Sequence, residues 1–306
     1  MRSRGIILFL AMAAFPASSA MAAEAPDFAK VEIVTTRLAP GLAMLVGSGG
    51  NIAVSTGTNG PIIVDDQFAP LAPKIKAAIK VLQDAPVRFV INTHHHFDHV
   101  GGNQAFGSAG AIIVAHDNVR KRMSVEQILK LQNELRVPAA APEALPVLTF
   151  ADGVTLHWND ETIRIEHVLP AHTDGDAHVW FERANVVHMG DTFVNGFYPL
   201  VDIDGCGRVD GFIESANRVL AHAKPDTRII PGHGPLATLA DLKKFRDMLV
   251  DVRKRIADGI AAGKTMAAFI AAKPLADLDA EWGDGFLTAD QMISLLWMDL
   301  SRKPQS

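Results

Sequence analysis

A β-branched run, VRFVIN (Val87 to Asn92), stops at four histidines and an aspartate packed into six positions, His94 to His99. This junction constrains the fold more than any other stretch. Imidazoles at the tip of a strand need partner ligands from other tips, so the chain must gather several strand ends at one edge. In extended backbone His94 and His96 project to the same side and can share one cation; Asp98 and His99, just beyond, can turn to a second. His95 points away from its neighbours, behind the pair or into solvent.

Three other strand-to-loop transitions offer donors: His172 in LPAHTDGDAHVW, Asp191 in VVHMGDTF and His233 in RIIPGHGP. Asp174 and Asp176 are placed to cap or orient the loop that carries His172. His116, His157, His167, His178, His188 and His222 each stand alone and read as surface or satisfied core residues. Cys206, between glycines in DGCGRVDG, reads as a turn residue with no adjacent histidine to activate it. As the single cysteine it rules out a disulfide within the chain.

The rest of the pattern says how the edge is built. Short β-like runs broken by Gly, Pro and Asn fill the stretch from Val31 to Asp66, followed by helical spacing over Leu71 to Gln83. A strand at Ala111 to Ala115, a polar helix over Asn118 to Leu135 and a Pro/Ala-rich connector from Val137 to Pro146 come next. The hairpin pattern then resumes with VTLHW, TIRIEHVL, HVWFE and NVVHM, before a helix, the strand TRIIP and an amphipathic helix from Leu239 to about Ala262. Hairpins outnumber crossovers, which favours two sheets each covered by helices on its outer face. The expected class is α+β, a four-layer αββα sandwich. Its pseudo-two-fold halves run over about residues 27–137 and 146–262. A C-terminal extension, 265–306, contains ISLLWMDL, a helix that closes the core or meets a partner. At 306 residues and 48% hydrophobic, the chain can bury one large domain, 23–306.

Residues 1–22 read as a signal peptide: Arg2 and Arg4 precede an apolar run, and Ala20 and Ala22 give the small-x-small cleavage pattern. The run is about ten residues, too short for a span of roughly 20. The expected location is periplasmic or secreted, with no stable membrane insertion after cleavage. Removing the leader takes two of 29 Lys+Arg and none of 34 Asp+Glu, moving the formal charge from −5 to 27 − 34 = −7. An acidic chain without a basic stripe is not built for nucleic acid.

Taken in order, THHHFDH, PAHTDGD, HMGDTF and PGHGP resemble the metal-binding motifs of the metallo-β-lactamase superfamily, over roughly Val31 to Leu236. The resemblance implies the αββα fold and a site for two zinc ions. It assigns His94, His96 and His172 to the first ion, Asp98, His99 and His233 to the second, and Asp191 as a carboxylate bridging both. With only nitrogen and oxygen donors, such a shell would also accept iron or manganese.

The resulting expectation is an exported dinuclear zinc hydrolase acting on a small molecule. A metal-bound hydroxide attacks a carbonyl, and Asp98 passes a proton to the leaving group. β-Lactamase-type opening of a cyclic amide leads, weak or promiscuous, because an aspartate stands where two lactamase subgroups have cysteine or serine. That aspartate is the arrangement of lactonases and thioesterases, which are the alternatives, together with a non-catalytic metal-binding accessory protein. No Lys or Arg occurs in Asp191 to Gly207, where some relatives ground a substrate carboxylate. Phe197 and Tyr198 in that stretch are candidate substrate contacts. Oligomeric state is not legible.

Overall fold

The computed structural model describes residues 27–129 and 135–302, so the leader assigned to residues 1–22 lies outside it. The first sheet opens with four antiparallel strands in chain order, β1 (Val34–Ala39), β2 (Leu42–Val46), β3 (Ile52–Ser55) and β4 (Ile62–Val64). The helix α1 (Ala72–Leu82) crosses over to β5 (Phe89–Ile91), which pairs parallel with β4. Two short helices, α2 (Phe97–Val100) and α3 (Asn103–Gly107), lead to β6 (Ile112–His116), again parallel.

Beyond β6 the structure corrects the expected long helix over Asn118 to Leu135. The helix α4 covers only Asp117–Met123, and β7 (Gln127–Leu129) pairs with β8 (Leu135–Val137) as a small separate hairpin. The buried stripe Val119, Met123 would need an apolar residue at 126 or 127 to continue, and Glu126 and Gln127 stand there. The freed carbonyls are satisfied locally: Ser124 Oγ donates to Arg120 O at 2.7 Å and Gln127 Nε2 to Arg122 O at 2.8 Å. After the connector, β9 (Leu148–Phe150) returns to pair with β6. The chain therefore changes sheets between Phe150 and Gly153, later than the seam read from composition.

The second sheet is β10 (Gly153–Trp158), β11 (Glu161–His167), β12 (Ala177–Phe181) and β13 (Val186–His188), antiparallel in order. The helix α5 (Val209–His222) then crosses to β14 (Arg228–Ile230), parallel to β13. The helices α6 (Leu239–Ala261), α7 (Met266–Ala271), α8 (Asp279–Trp282) and α9 (Ala289–Leu300) complete the chain. A reciprocal capping box fixes the start of α6: Asp241 Oδ2 accepts from Thr238 N at 2.8 Å while Thr238 Oγ1 accepts from Asp241 N at 3.4 Å.

The period of two along buried strands generates the layers. Val64, Ile91 and Val114 face the second sheet and meet Ile165, Val179 and Ile230. Their neighbours Ile63, Val90 and Ile113 face outward, onto Ile75 and Ile79 of α1 and Phe106 of α3. On the opposite side Val187 and Ile229 pack under Phe212 and Val219 of α5 and Phe245 and Leu249 of α6. Each such side chain, fully buried, contributes roughly 1.5–3 kcal/mol. The helix α9 sinks Met292, Ile293, Leu295 and Leu296 into that last layer, so the ISLLWMDL segment closes the core. The order is helix, sheet, sheet, helix, as expected from the hairpin pattern. Among the described residues no helix is long and apolar enough to cross a membrane.

Candidate metal centre

The ends of β5, β11, β13 and β14 open onto one edge of the sandwich, and each carries a piece of the site. His94 and His96 follow β5, and Asp98 and His99 lie on α2. His172 sits in the loop after β11, Asp191 in the single turn after β13, and His233 three residues past β14. All seven come together. The ligand-capable atoms of His94, His96 and His172 lie within 4.8 Å of one another, as do those of Asp98, His99 and His233, and those of His94, His99 and Asp191.

The carboxylate of Asp191 stands between the two clusters. Its Oδ1 is 3.1 Å from His99 Nε2 and 3.4 Å from His233 Nε2, while its Oδ2 is 3.6 Å from His172 Nε2. His233 Nε2 is also 3.2 Å from Asp98 Oδ2.

Outer hydrogen bonds decide which nitrogen of each ring faces inward with a lone pair. Nδ1 of His172 donates to the carbonyl of Leu200 at 2.7 Å, so its Nε2 is the acceptor, and it points at Nδ1 of His96, 2.7 Å away. In the neutral ring that Nδ1 is itself an acceptor, because Nε2 of His96 donates to Asp202 Oδ2 at 3.0 Å. His99 Nδ1 donates to Asp65 Oδ2 at 2.7 Å, leaving Nε2 bare toward His233 Nε2 at 3.1 Å. Thr93 Oγ1 gives its proton to Asp65 Oδ2 at 2.7 Å and so accepts from His94 Nδ1 at 3.0 Å. Nε2 of His94 and Oδ1 of Asp191 are buried with no hydrogen-bond partner.

Lone pairs of separate rings and a carboxylate aimed at one another repel unless positive charge lies between them. The donor set therefore fits divalent cations, and its nitrogens and oxygens suit zinc.

The electrostatics of the first cluster divide: against its burial, His96 is raised by the Asp202 carboxylate, whereas its two partners are lowered. Burial, reinforced by the neighbouring His99 and His172, holds His94 well below the usual imidazole range. Burial and His96 push His172 down to about 4. In the second cluster burial opposes ionisation, yet Asp191 overrides it and raises His233 to about 9; His99 is raised for the same reason. Against its own desolvation, Asp98 is held at about 2 by His99 and His233. Without cations, protons on this cluster supply the positive charge its carboxylates demand.

Two residues that sequence reasoning passed over organise the centre. Asp65, buried at the end of β4 with a left-handed φ of 62°, also accepts from Thr93 N at 2.8 Å, so one carboxylate orients both His94 and His99. A pair of acids, Asp65 and Asp66, directly after an apolar strand was the available signal. Asp202 accepts from the backbone N–H groups of Asp204 and Gly205 at 3.1 and 2.9 Å. Its signal was the turn signature DIDG.

Asp176 Oδ2 accepts from His172 N at 2.7 Å and Thr173 N at 2.9 Å, so it braces the ligand loop. Asp174 braces the same loop from outside through a two-pronged ion pair with Arg122 at 2.6 and 2.7 Å. His95 is buried with its ring against that of His96, and one of its ring nitrogens lies within 4.8 Å of ligand-capable atoms of His96 and Asp202, so both the outward direction and the solvent-exposed option are corrected. His178 is a core residue that reaches Thr192 Oγ1 and Ser215 Oγ. Cys206 occupies a left-handed turn position, φ 64°, and is exposed.

A cavity of about 430 Å³ opens over the clusters, with His96, Asp98, Asp191 and His233 in its wall. Phe197 and Tyr198 line it. Tyr198 is fully buried and its hydroxyl donates to Asp279 Oδ1 at 3.2 Å, so it offers the cavity its ring.

A family model described as the metallo-beta-lactamase superfamily matches residues 37–233. The chain is 29% identical over 179 residues to a hydroxyacylglutathione hydrolase of Gloeobacter violaceus, covering 56% of this chain and 58% of that protein. It is 30% identical over 150 residues to another of that name from Methylococcus capsulatus, covering 47% of each. The chain thus spans about half the length of these curated relatives. Among solved structures, a metallo-beta-lactamase from Pontibacter korlensis superposes with a TM-score of 0.57 at 16% identity, covering 71% of this chain and 99% of that one. The DIM-1 metallo-beta-lactamase gives 0.56 at 18%, covering 72% and 99%. At such identities these likenesses establish the fold.

Proposed function

Because the chain belongs to the metallo-β-lactamase superfamily of hydrolases, we propose that it is a two-zinc acyl hydrolase whose substrates are thioesters or lactones. In this reading His94, His96 and His172 hold one ion, Asp98, His99 and His233 the other, and Asp191 is shared. The observation that carries it is the Asp191 carboxylate, with one oxygen toward each cluster. Zinc ions so held supply Lewis acidity, lowering the pKa of a water to about 7 and polarising a substrate carbonyl.

The chain's own residues do the rest. Asp65, Asp202 and the Leu200 carbonyl fix the ring tautomers, so the inward nitrogens need no rearrangement. Asp98, held as the anion and open to the cavity, takes the proton of the attacking nucleophile and returns it to the leaving sulfur or oxygen. Aromatic walls exclude bulk water from the reacting carbonyl.

Opening of a cyclic amide, which led on sequence grounds, takes second place. β-Lactams carry a carboxylate, and among the described residues no Lys or Arg lines the cavity to receive it. Two curated relatives, at 29% and 30% identity, carry the name hydroxyacylglutathione hydrolase, which supports the order given. Export, the expectation from residues 1–22, stays part of the proposal.

The test is a panel of an acyl thioester, an acyl lactone and a chromogenic cephalosporin, each with metal-loaded and chelated protein, alongside elemental analysis. Metal-dependent cleavage of thioester or lactone at least tenfold faster than the cephalosporin is expected. Metal retained with none of the three cleaved would leave the accessory-protein reading standing.

A further inference from the structure

The cavity changes character from floor to rim. Beside the histidines and carboxylates of the floor its sides are mostly apolar, built by Phe68, Phe97, Val194, Phe197 and Leu200 with Ser48 and Asp204 among them, and Phe286 stands at the mouth, 61% exposed. Asp284 stands at the same mouth, exposed, and enters no ion pair among the described residues. The loop that carries it is seated on the wall: a Cβ on Gly285 would lie 2.3 Å from that of Phe197. The mouth thus offers both a carboxylate and an aromatic face.

Resting on the acyl-hydrolase reading, we infer that the substrate combines an apolar, aromatic acyl group with a cationic ammonium at the end remote from the scissile carbonyl. Three things select that chemistry. The sides reward an aryl or alkyl group. An ammonium at the mouth meets the Asp284 carboxylate and the face of Phe286, and both attract a cation. An anion there meets like charge, and among the described residues no Lys or Arg lines the cavity to offset it. The ions on the floor would act on the carbonyl, while Asp284 and Phe286, both exposed where they line the cavity, act on the remote end.

The experiment uses the full, metal-loaded chain and three phenylacetyl thioesters that differ only in the thiol: thiocholine (cationic), 3,3-dimethylbutanethiol (its neutral isostere) and 3-mercaptopropionate (anionic). The expected order of kcat/KM is cation, neutral, anion, with about tenfold or more between the extremes, the effect of a single charge contact. In Asp284→Asn the ratio between extremes falls at least threefold, and in Asp284→Lys the order inverts. A wild-type ratio below tenfold, or one that survives both substitutions, overturns the inference. Should no thioester be cleaved, the acyl-hydrolase reading fails separately. Calorimetric binding of the three uncleavable thioethers then decides: the same order of affinity supports the inference, and equal affinities overturn it.

Discussion

Nε2 of His96 lies 3.0 Å from Oδ2 of Asp202, a contact between residues 106 apart in the chain. The bond does for His96 what Asp65 does for His99: it holds a proton on the outer nitrogen and leaves the inner one free to bind. Asp202 is in turn anchored by the turn it begins, so ring, carboxylate and loop form one rigid unit.

Replacing Asp202 with alanine therefore weakens cation affinity about 10- to 100-fold, the usual effect of losing the partner of a ligating histidine. Competition against a chromophoric chelator measures it. Unchanged affinity would mean that packing alone orients the ring.

Asp191→Asn keeps the shape of the side chain but makes one of its two ends a donor, which cannot face a cation. The expected result is fewer than two metal equivalents per chain and at least a hundredfold loss of turnover, with the circular dichroism spectrum unaltered. Mass spectrometry under non-denaturing conditions counts the ions directly.

Gly232 leaves no room for a side chain, since a Cβ there would stand 1.9 Å from Asp191 Oδ1. Gly232→Ala displaces that carboxylate and lowers metal content, at a cost of about 1–3 kcal/mol in stability from overpacking. Full metal content with wild-type thermal stability would contradict the geometry.

Much of this centre was legible because ligands fall where β-branched runs stop. His94, His172, Asp191 and His233 each follow such a run, and alternation along a strand is a short-range property. The outer carboxylates were not legible in the same way. Whether Asp65 meets His99 depends on the register of β4 beside β5, and whether Asp202 meets His96 depends on the path of a loop between β13 and α5. The helix read over Asn118 to Leu135 overran for a related reason. Its composition tolerated a helix, but a buried face ended at Met123 and side chains took over the last carbonyls.

His178 gives a pH-dependent prediction away from the ligands. Burial, helped by the positive charge of Arg218, lowers its pKa to about 3, while in the unfolded chain it titrates near 6.5. Between these values the unfolded state binds the proton and the folded state does not. Stability is thus greatest above about pH 6.5 and falls as pH drops toward 3, by up to about 1.4 kcal/mol per unit from this group. Urea titrations of chelated protein at pH 7, 6 and 5 test this. His178→Gln should flatten the slope relative to the natural chain, and parallel slopes would refute the assignment.

The last turn of α9 reaches across to the segment that bears Asp202. Asp299 accepts from Val209 N at 2.8 Å and pairs with Arg208 Nε at 2.8 Å, and Arg302 donates to Ile203 O at 2.6 Å. Breaking these contacts would sever three tethers while leaving every metal-binding side chain in place. The end of α9 thus acts as a latch, tied through a single loop to the carboxylate that holds the nitrogen of His96.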